Sequence, residues 1–223
     1  MPSLDGSVVL VTGANGGVGA HFVHDALARG AAKVYATPRS PHARDDERII
    51  PLTHDVTDRA SIAAAVATAA DVTVLVNNAG AIPPSASLLD VTEADIRANM
   101  ETNFFGPVFL ARAFAPVLAA KEGSILIDVL ASWYAFGGAY SASKAALRSA
   151  TNSLRVEFAP VGVHVTGVHM GNVDTDMAAH ADRPKMLPTQ LMTTVYDAVE
   201  AGEYEVLADE LTKGVKAALS GPV

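Results

Sequence analysis

Short apolar stretches alternate along the chain with longer alanine-rich stretches whose apolar positions recur at helical spacing. The short stretches are rich in β-branched residues and are apolar nearly throughout, without alternating polar positions. Strands of this kind are typical of a parallel sheet that helices cover on both faces. The first part of the pattern predicts strands near 7–13, 32–38, 48–55 and 72–80 and helices near 16–30 and 58–70.

The same alternation continues to the end of the chain. It predicts helices near 93–119 and 140–158, strands near 124–131 and 162–169, and a last helix, strand and helix between 189 and 219. Residues 171–188 contain two prolines and lack periodicity, which is typical of a loop. Because no linker or repeat interrupts the pattern, the sequence predicts one α/β domain over residues 1–223, with a doubly wound parallel sheet of about seven strands.

Composition and charge narrow the possible partners. The net charge is −8 and the sixteen basic residues are scattered, which argues against nucleic acid and against an anionic membrane surface. The absence of cysteine excludes disulfides, thiolate nucleophiles and cysteine metal sites, and fits a reducing compartment. With no basic leader at the N-terminus and no apolar stretch long enough to span a bilayer, we expect a cytoplasmic protein without a membrane partner.

A glycine-rich loop, "VTGANGGVGAHF", follows the first predicted strand at the point where a helix should begin. Glycine permits a tight turn and lets backbone N–H groups approach a pyrophosphate at the positive end of that helix. A glycine cluster by itself could be a flexible turn, but its position directly after the first strand favours nucleotide binding. The candidate cofactor contacts in this loop are Gly13, Asn15, Gly17, Val18 and Gly19.

Tyr140 and Lys144 are four positions apart in a predicted helix, so their side chains share one face. A phenol with an ordinary pKa near 10 is a poor base at neutral pH unless its phenolate is stabilised. A lysine ammonium one turn away stabilises the phenolate by charge proximity. The pair alone proves little, because five tyrosines and six lysines in 223 residues give roughly 0.13 accidental pairs at this spacing. Together with the family motifs described next, it predicts Tyr140 as the acid/base residue and Lys144 as the residue that lowers its pKa.

The spacing T-G-x-x-x-G-x-G in the glycine loop resembles that of the short-chain dehydrogenase/reductase family. Further motifs follow in the order found in that family: "DVTD" at 55–58, "NNAG" at 77–80, "NFFG" at 103–106 and "YSASK" at 140–144. The resemblance covers almost the whole chain. It implies a Rossmann-like fold and an oxidoreductase that transfers a hydride between a nicotinamide cofactor and a small-molecule carbonyl or alcohol substrate.

The resemblance also implies roles for individual cofactor contacts. Asp55 would contact the adenine with Val56 beside the ring, and the "NNAG" segment would line the ribose with Asn78, Ala79 and Gly80. Beyond the sixth strand, the family's carboxamide-binding segment corresponds to "HMGNVDTDM", in which Met170 replaces the usual proline. There Val173 would offer backbone groups and Thr175 a hydroxyl.

In the catalytic group, the resemblance implies that Lys144 binds the nicotinamide ribose and that Asn103 holds a water connecting Lys144 to solvent. Without the other motifs, Asn103 would be interpreted as a helix-interior amide that bonds a neighbouring backbone group. Relatives pair through the helices that correspond to 93–119 and 140–158, so the resemblance implies a homodimer or homotetramer. The rival hypothesis is a nucleotide-binding sensor or scaffold that kept the fold and lost the reaction.

Arg39 favours NADP(H) over NAD(H). An acidic residue normally follows the second strand when a free ribose 2′-hydroxyl is bound, and a basic residue lies nearby when that hydroxyl is phosphorylated. Here the segment "VYATPRS" has no acid and places Arg39 in reach. The alternative is a solvated loop arginine, since Gly16 stands where many NADP-binding relatives carry a second basic residue.

The family's substrate-binding serine normally lies at the end of the fifth strand, about a dozen residues before the tyrosine. The available serine, Ser132, is only eight residues before Tyr140. Counting forward from Gly123 in the usual register puts Leu130 at the serine position. Counting back from Tyr140 instead puts it near Ile127 or Asp128. Residues 130 and 132 of a strand face the same side, so Ser132 reaches the correct face if the strand runs two residues further. We therefore predict Ser132 as the residue that orients the substrate oxygen.

Two further groups of residues have competing interpretations. The aromatic residues Trp133, Tyr134 and Phe136, with Met177, predict an open apolar substrate site, although they are equally consistent with packing under the loop. His21 and His24 stand three positions apart but lack a third ligand, which indicates a solvated helix face and no metal site.

Overall fold

The structure is a computed structural model that describes residues 2–37, 46–131, 137–179, 182 and 184–218. Its strands are β1 (Val8–Thr12), β2 (Lys33–Thr37), β3 (Ile49–Pro51), β4 (Val74–Asn77), β5 (Ile125–Val129), β6 (His164–His169) and β7 (Glu205–Leu207). Its helices are α1 (Gly17–Ala28), α2 (Arg59–Thr68), α3 (Glu93–Met100), α4 (Gly106–Ala119), α5 (Gly138–Phe158), α6 (Pro188–Glu200) and α7 (Glu210–Ala218).

The seven strands form one parallel sheet in the order β3-β2-β1-β4-β5-β6-β7. The order reverses between β1 and β4, so the connections on the two sides of this point run in opposite directions. Ligands of doubly wound sheets bind in the crevice at the carboxyl ends of the strands where this reversal occurs. The predicted doubly wound parallel sheet is confirmed, and its topology places a binding crevice beside the glycine loop.

Helices cover both faces of the sheet, which explains why the strands are apolar throughout. Val9 and Val11 of β1 pack with α1 and α6 on one face, where Phe22 and Tyr196 meet edge to face at 5.6 Å between ring centroids. Leu10 lies on the opposite face with residues of α2 and α4. Successive strand residues point to opposite faces. Both sets of side chains are therefore buried.

The predicted helix over 93–119 is interrupted by a π-helical turn, Glu101–Phe105, that joins α3 to α4. A π-turn inserts an extra residue and re-aims the side chains around it, and it is frequent at functional sites.

Taken together across the π-turn, the helical segment Glu93–Ala119 is long and apolar enough to cross a membrane by length and composition, contrary to the sequence-based expectation. In this fold, α4 packs on the sheet and buries Leu110, Phe114 and Leu118.

Candidate active site

A cavity of about 620 Å³ opens at the carboxyl ends of β1 and β4, where the strand order reverses. Most of the predicted cofactor contacts line it: Gly13, Asn15, Gly17, Val18, Gly19, Asp55, Val56, Asn78, Ala79, Gly80, Tyr140, Lys144 and Thr175. These residues come from segments that are far apart in the sequence. The fold therefore brings the glycine loop and the Tyr-Lys pair to one site.

The glycine loop is built for a close approach to its neighbours. Gly13 and Gly17 have φ values of 65° and 52°, in the left-handed region that favours glycine. A Cβ on Gly19 would overlap the Gly13 carbonyl oxygen and would lie 2.6 Å from Nδ2 of Asn78. No described side chain caps the N-terminus of α1, so its N–H groups are available to an anion. This cradle fits the pyrophosphate of a dinucleotide.

Thr12 and Asn78 hold the end of β4 against the glycine loop. The Thr12 hydroxyl oxygen accepts hydrogen bonds from the backbone N–H groups of Asn78 (2.9 Å) and Ala79 (3.0 Å). The Asn78 amide donates to the Thr12 carbonyl at 2.8 Å. Because its amide is used in this way, the Asn78 side chain fixes the shape of the cavity wall.

Asn103 lies in the π-turn and is completely buried. Its Oδ1 accepts from the Ala81 N–H at 2.8 Å, and its Nδ2 donates to the Ala81 carbonyl at 2.9 Å and lies 3.0 Å from Ser143 Oγ. A Cβ on Gly80 would lie 3.4 Å from Asn103 Oδ1 and 3.7 Å from Lys144 Nζ. Asn103 thus bonds the backbone of Ala81, which is 22 residues away, and not a neighbouring group of its own helix as in the alternative interpretation. It lies behind the cavity wall close to Lys144. The water relay stays a prediction.

Tyr140 and Lys144 both line the cavity, with Lys144 Nζ 5.9 Å from the centroid of the Tyr140 ring. The ammonium donates to the Val129 carbonyl at 2.8 Å. Burial lowers the pKa of Lys144 to about 8, an effect that the charge of Asp128 opposes. Burial raises the pKa of Tyr140 to about 12, although part of its side chain is exposed.

The sign of the Tyr140 shift corrects the sequence-based expectation that Lys144 lowers this pKa. Burial disfavours the phenolate, and the nearby ammonium is directed at a backbone carbonyl. At neutral pH the structure therefore presents Tyr140 as a protonated phenol, which is a proton donor.

Of the two predicted carboxamide contacts, Thr175 lines the cavity and Val173 does not. Val173 is buried and forms an isolated bridge with Met186, and its carbonyl accepts the Thr175 hydroxyl at 3.2 Å. Val173 thus holds Thr175 in place.

Ser132 lies outside the described residues, as do Arg39, Trp133, Tyr134 and Phe136. Their roles stay predictions. The premise that the fifth strand runs on to Ser132 is wrong, since β5 ends at Val129. The Leu130 N–H still donates to the Val168 carbonyl, but Ala131 has a φ of 49°, which ends the extended backbone. Strand periodicity cannot therefore decide which way Ser132 faces.

Sequence reasoning missed several cavity residues: Thr37, His54, Thr57, Ala81, Thr102, Val129 and Asp176. Thr37 ends β2, and the general rule that ligands contact residues at the carboxyl ends of parallel strands could have found it. His54 lies near the end of the predicted strand over 48–55, so the same rule could have found it. It is buried, with Nδ1 3.3 Å from Ser61 Oγ of α2. In the described part of the chain, no group of three or more potential ligands could hold a metal ion.

The fold and the cavity define an α/β protein of the Rossmann type, in which Tyr140 and Lys144 lie in the same cavity as the glycine loop. Comparison with known proteins agrees, and the chain belongs to the short chain dehydrogenase family, whose sequence profile matches residues 7–185. The chain is similar to a crystal structure of a short-chain dehydrogenase from Burkholderia cenocepacia in complex with NADP. The identity is 33%, the TM-score is 0.90, and the match covers 98% of this chain and 94% of the other.

Two curated relatives are matched over parts of their length. An NADPH-dependent 1-acyldihydroxyacetone phosphate reductase of Schizosaccharomyces pombe is 43% identical over 104 residues, which are 45% of this chain. A short-chain dehydrogenase of Penicillium crustosum is 38% identical over 186 residues, which are 75% of this chain. The matched regions span 35% and 66% of the lengths of these two relatives.

Proposed function

We propose that this short-chain dehydrogenase transfers a hydride between NADP(H) and the carbonyl or alcohol group of a small molecule. The observation that carries this proposal is that Tyr140 and Lys144 line the same cavity as the glycine loop. The nicotinamide, when bound, supplies or accepts the hydride. The chain has to bind the cofactor, orient the substrate and move a proton.

In carbonyl reduction, Tyr140 donates its phenolic proton to the substrate oxygen as that oxygen gains charge. Its raised pKa keeps the proton in place until substrate is bound. An ammonium group has three N–H donors. The ammonium of Lys144 uses one of them for its bond to the Val129 carbonyl. The remaining donors suit the cofactor's ribose hydroxyls, and the positive charge stabilises the phenolate that forms.

The experiment that tests the function is turnover of purified protein with NADPH and a panel of ketones, aldehydes and quinones, followed at the absorbance band of the reduced nicotinamide. We expect turnover of apolar carbonyl compounds, because Met170 and Met177 line the cavity. Tight NADPH binding without turnover of any panel member would favour the sensor or scaffold hypothesis.

The reaction is expected to slow as the pH rises through about 8, because Lys144 then loses its proton. Tyr140 stays protonated over this range, since its pKa is about 12. The measurement is kcat/KM for NADPH against pH, which reports groups of the free enzyme. A Lys144→Arg control stays charged and should lose this alkaline limb. A rate that rises through pH 8 would contradict the assignment.

NADP(H) is the proposed cofactor because β2 ends in Thr37 without an acidic residue and Arg39 follows two positions later. The names of the fission-yeast reductase and the Burkholderia structure, which refer to NADPH and NADP, support this choice. We expect Arg39→Ala to weaken NADPH binding by at least about tenfold, since it removes a charge-assisted hydrogen bond. NADH, titrated in parallel, is the control and should bind unchanged. Equal effects on both cofactors, or no effect, would refute the role of Arg39.

A further inference from the structure

Asp128 is a fully buried carboxyl group in the middle of the sheet. Its Oδ1 accepts from Asn77 Nδ2 at 2.8 Å, and its Oδ2 accepts from the Thr151 hydroxyl at 2.7 Å. Asn77 is its register partner on β4, and Thr151 lies on α5. Burying a carboxyl group is unfavourable unless hydrogen bonds or an opposite charge compensate. The surroundings of Asp128 show which compensation is available.

The orientation of the Asn77 side-chain amide makes Oδ1 of Asp128 a hydrogen-bond acceptor. Asn77 Nδ2 donates to the Pro107 carbonyl at 3.3 Å as well as to Asp128. Because a carbonyl can only accept, the amide nitrogen and not the amide oxygen of Asn77 faces the Asp128 carboxyl group. An amide N–H can only donate. Oδ1 of Asp128 therefore accepts from an amide donor. The Thr151 hydroxyl has one proton and lies within hydrogen-bond distance of both Asp128 Oδ2 (2.7 Å) and the Leu147 carbonyl (2.8 Å). Donation of that proton to Asp128 stabilises the ionised form of the carboxyl group.

Lys144 is the neighbouring cation. Its ammonium bonds the carbonyl of Val129, the residue after Asp128, and Thr151 is two turns further along the same helix face. The charge of Asp128 raises the pKa of Lys144 against the effect of burial. Burial raises the pKa of Asp128 overall. The hydrogen bonds from Asn77 and Thr151, and then the charges of Lys144 and Arg155, oppose this rise.

We propose that the ionised carboxylate of Asp128 is the buried counter-charge that keeps Lys144 protonated. Its effect on rate rests on the function proposed above, in which Lys144 must be cationic. Asp128 does not line the cavity, so it is a positioning residue that acts through Lys144.

The test is the titration of Lys144 in the protein without substrate, by NMR of ¹³C-labelled lysine side chains. The chain has six lysines, and Lys144→Met assigns the signal. In Asp128→Asn, which keeps the size of the side chain, we expect the midpoint to fall by at least about one pH unit. Ser124→Ala is the control, because Ser124 is fully buried directly before β5 and its hydroxyl donates to the Lys121 carbonyl at 3.0 Å. It should leave the midpoint unchanged.

A second measurement needs no variant. The ¹³C shift of the Asp128 carboxyl in the unmodified protein should be that of a carboxylate at neutral pH. A protonated carboxyl, donating to Thr151 instead of accepting, would overturn the proposal, as would an unchanged Lys144 midpoint in folded Asp128→Asn. Both readouts are independent of turnover, so a failure of the proposed reaction would leave them intact. If turnover is found, the alkaline limb should shift to lower pH in Asp128→Asn.

Discussion

Replacing Tyr140 with phenylalanine is expected to lower kcat for NADPH-dependent reduction by about a thousandfold, the middle of the range for general acid catalysis. The phenyl ring keeps the shape of the cavity wall, but the proton donor is lost. Turnover is measured at saturating NADPH and substrate. NADPH affinity is the control and should change little, since the lost hydroxyl acts on the substrate.

Ser132→Ala gives the matched comparison, because it removes a predicted hydrogen-bond donor to the substrate and leaves the acid in place. We expect a loss of about a hundredfold, as for one such donor in other enzymes. Tyr140→Phe should therefore be the more damaging change. Wild-type turnover of Ser132→Ala would reject the serine assignment, and wild-type turnover of Tyr140→Phe would reject the acid.

Gly19→Ala is expected to weaken NADPH binding by about a hundredfold, the upper end of the cost of losing one charge-assisted hydrogen bond between the loop and the pyrophosphate. The new methyl group would overlap the Gly13 carbonyl oxygen and lie 2.6 Å from Asn78 Nδ2. The glycine loop and the end of β4 would have to separate, which would distort the cradle. The dissociation constant is measured by cofactor fluorescence, with circular dichroism to verify the fold.

Gly16→Ala is the matched control for this change. Gly16 lines the same cavity, but its backbone is extended, with a φ of −179°, and a Cβ there would meet no atom within 4 Å. It should retain most of the NADPH affinity. Similar losses in both variants would show that the close contact at Gly19 does not determine cofactor binding.

The sheet could be predicted because strands buried on both faces must be apolar throughout, a pattern that is visible in the sequence. The interruption of the helix over 93–119 could not be predicted in the same way. The π-turn places Asn103 against Ala81 and Ser143, which are distant in the sequence. Its position depends on contacts that no local periodicity records.

The direction of the Tyr140 pKa shift shows a second limit. Sequence spacing correctly places Tyr140 and Lys144 on one wall of the cavity. It does not reveal how deeply the phenol is buried or which acceptor the ammonium bonds. Burial reverses the expected sign of the Tyr140 pKa shift, while the Lys144 ammonium bonds the Val129 carbonyl.

By itself, the sequence determined the order of strands and helices, the glycine loop, the Tyr-Lys pair and the family to which the chain belongs. These depend on spacing and periodicity within short segments. Only the tertiary structure decided that β5 ends before Ser132, that Thr175 and not Val173 lines the cavity, and that a buried Asp128 lies beside Lys144. Each of these depends on burial and hydrogen bonding between segments far apart in the chain, because those contacts set backbone conformation and charge state.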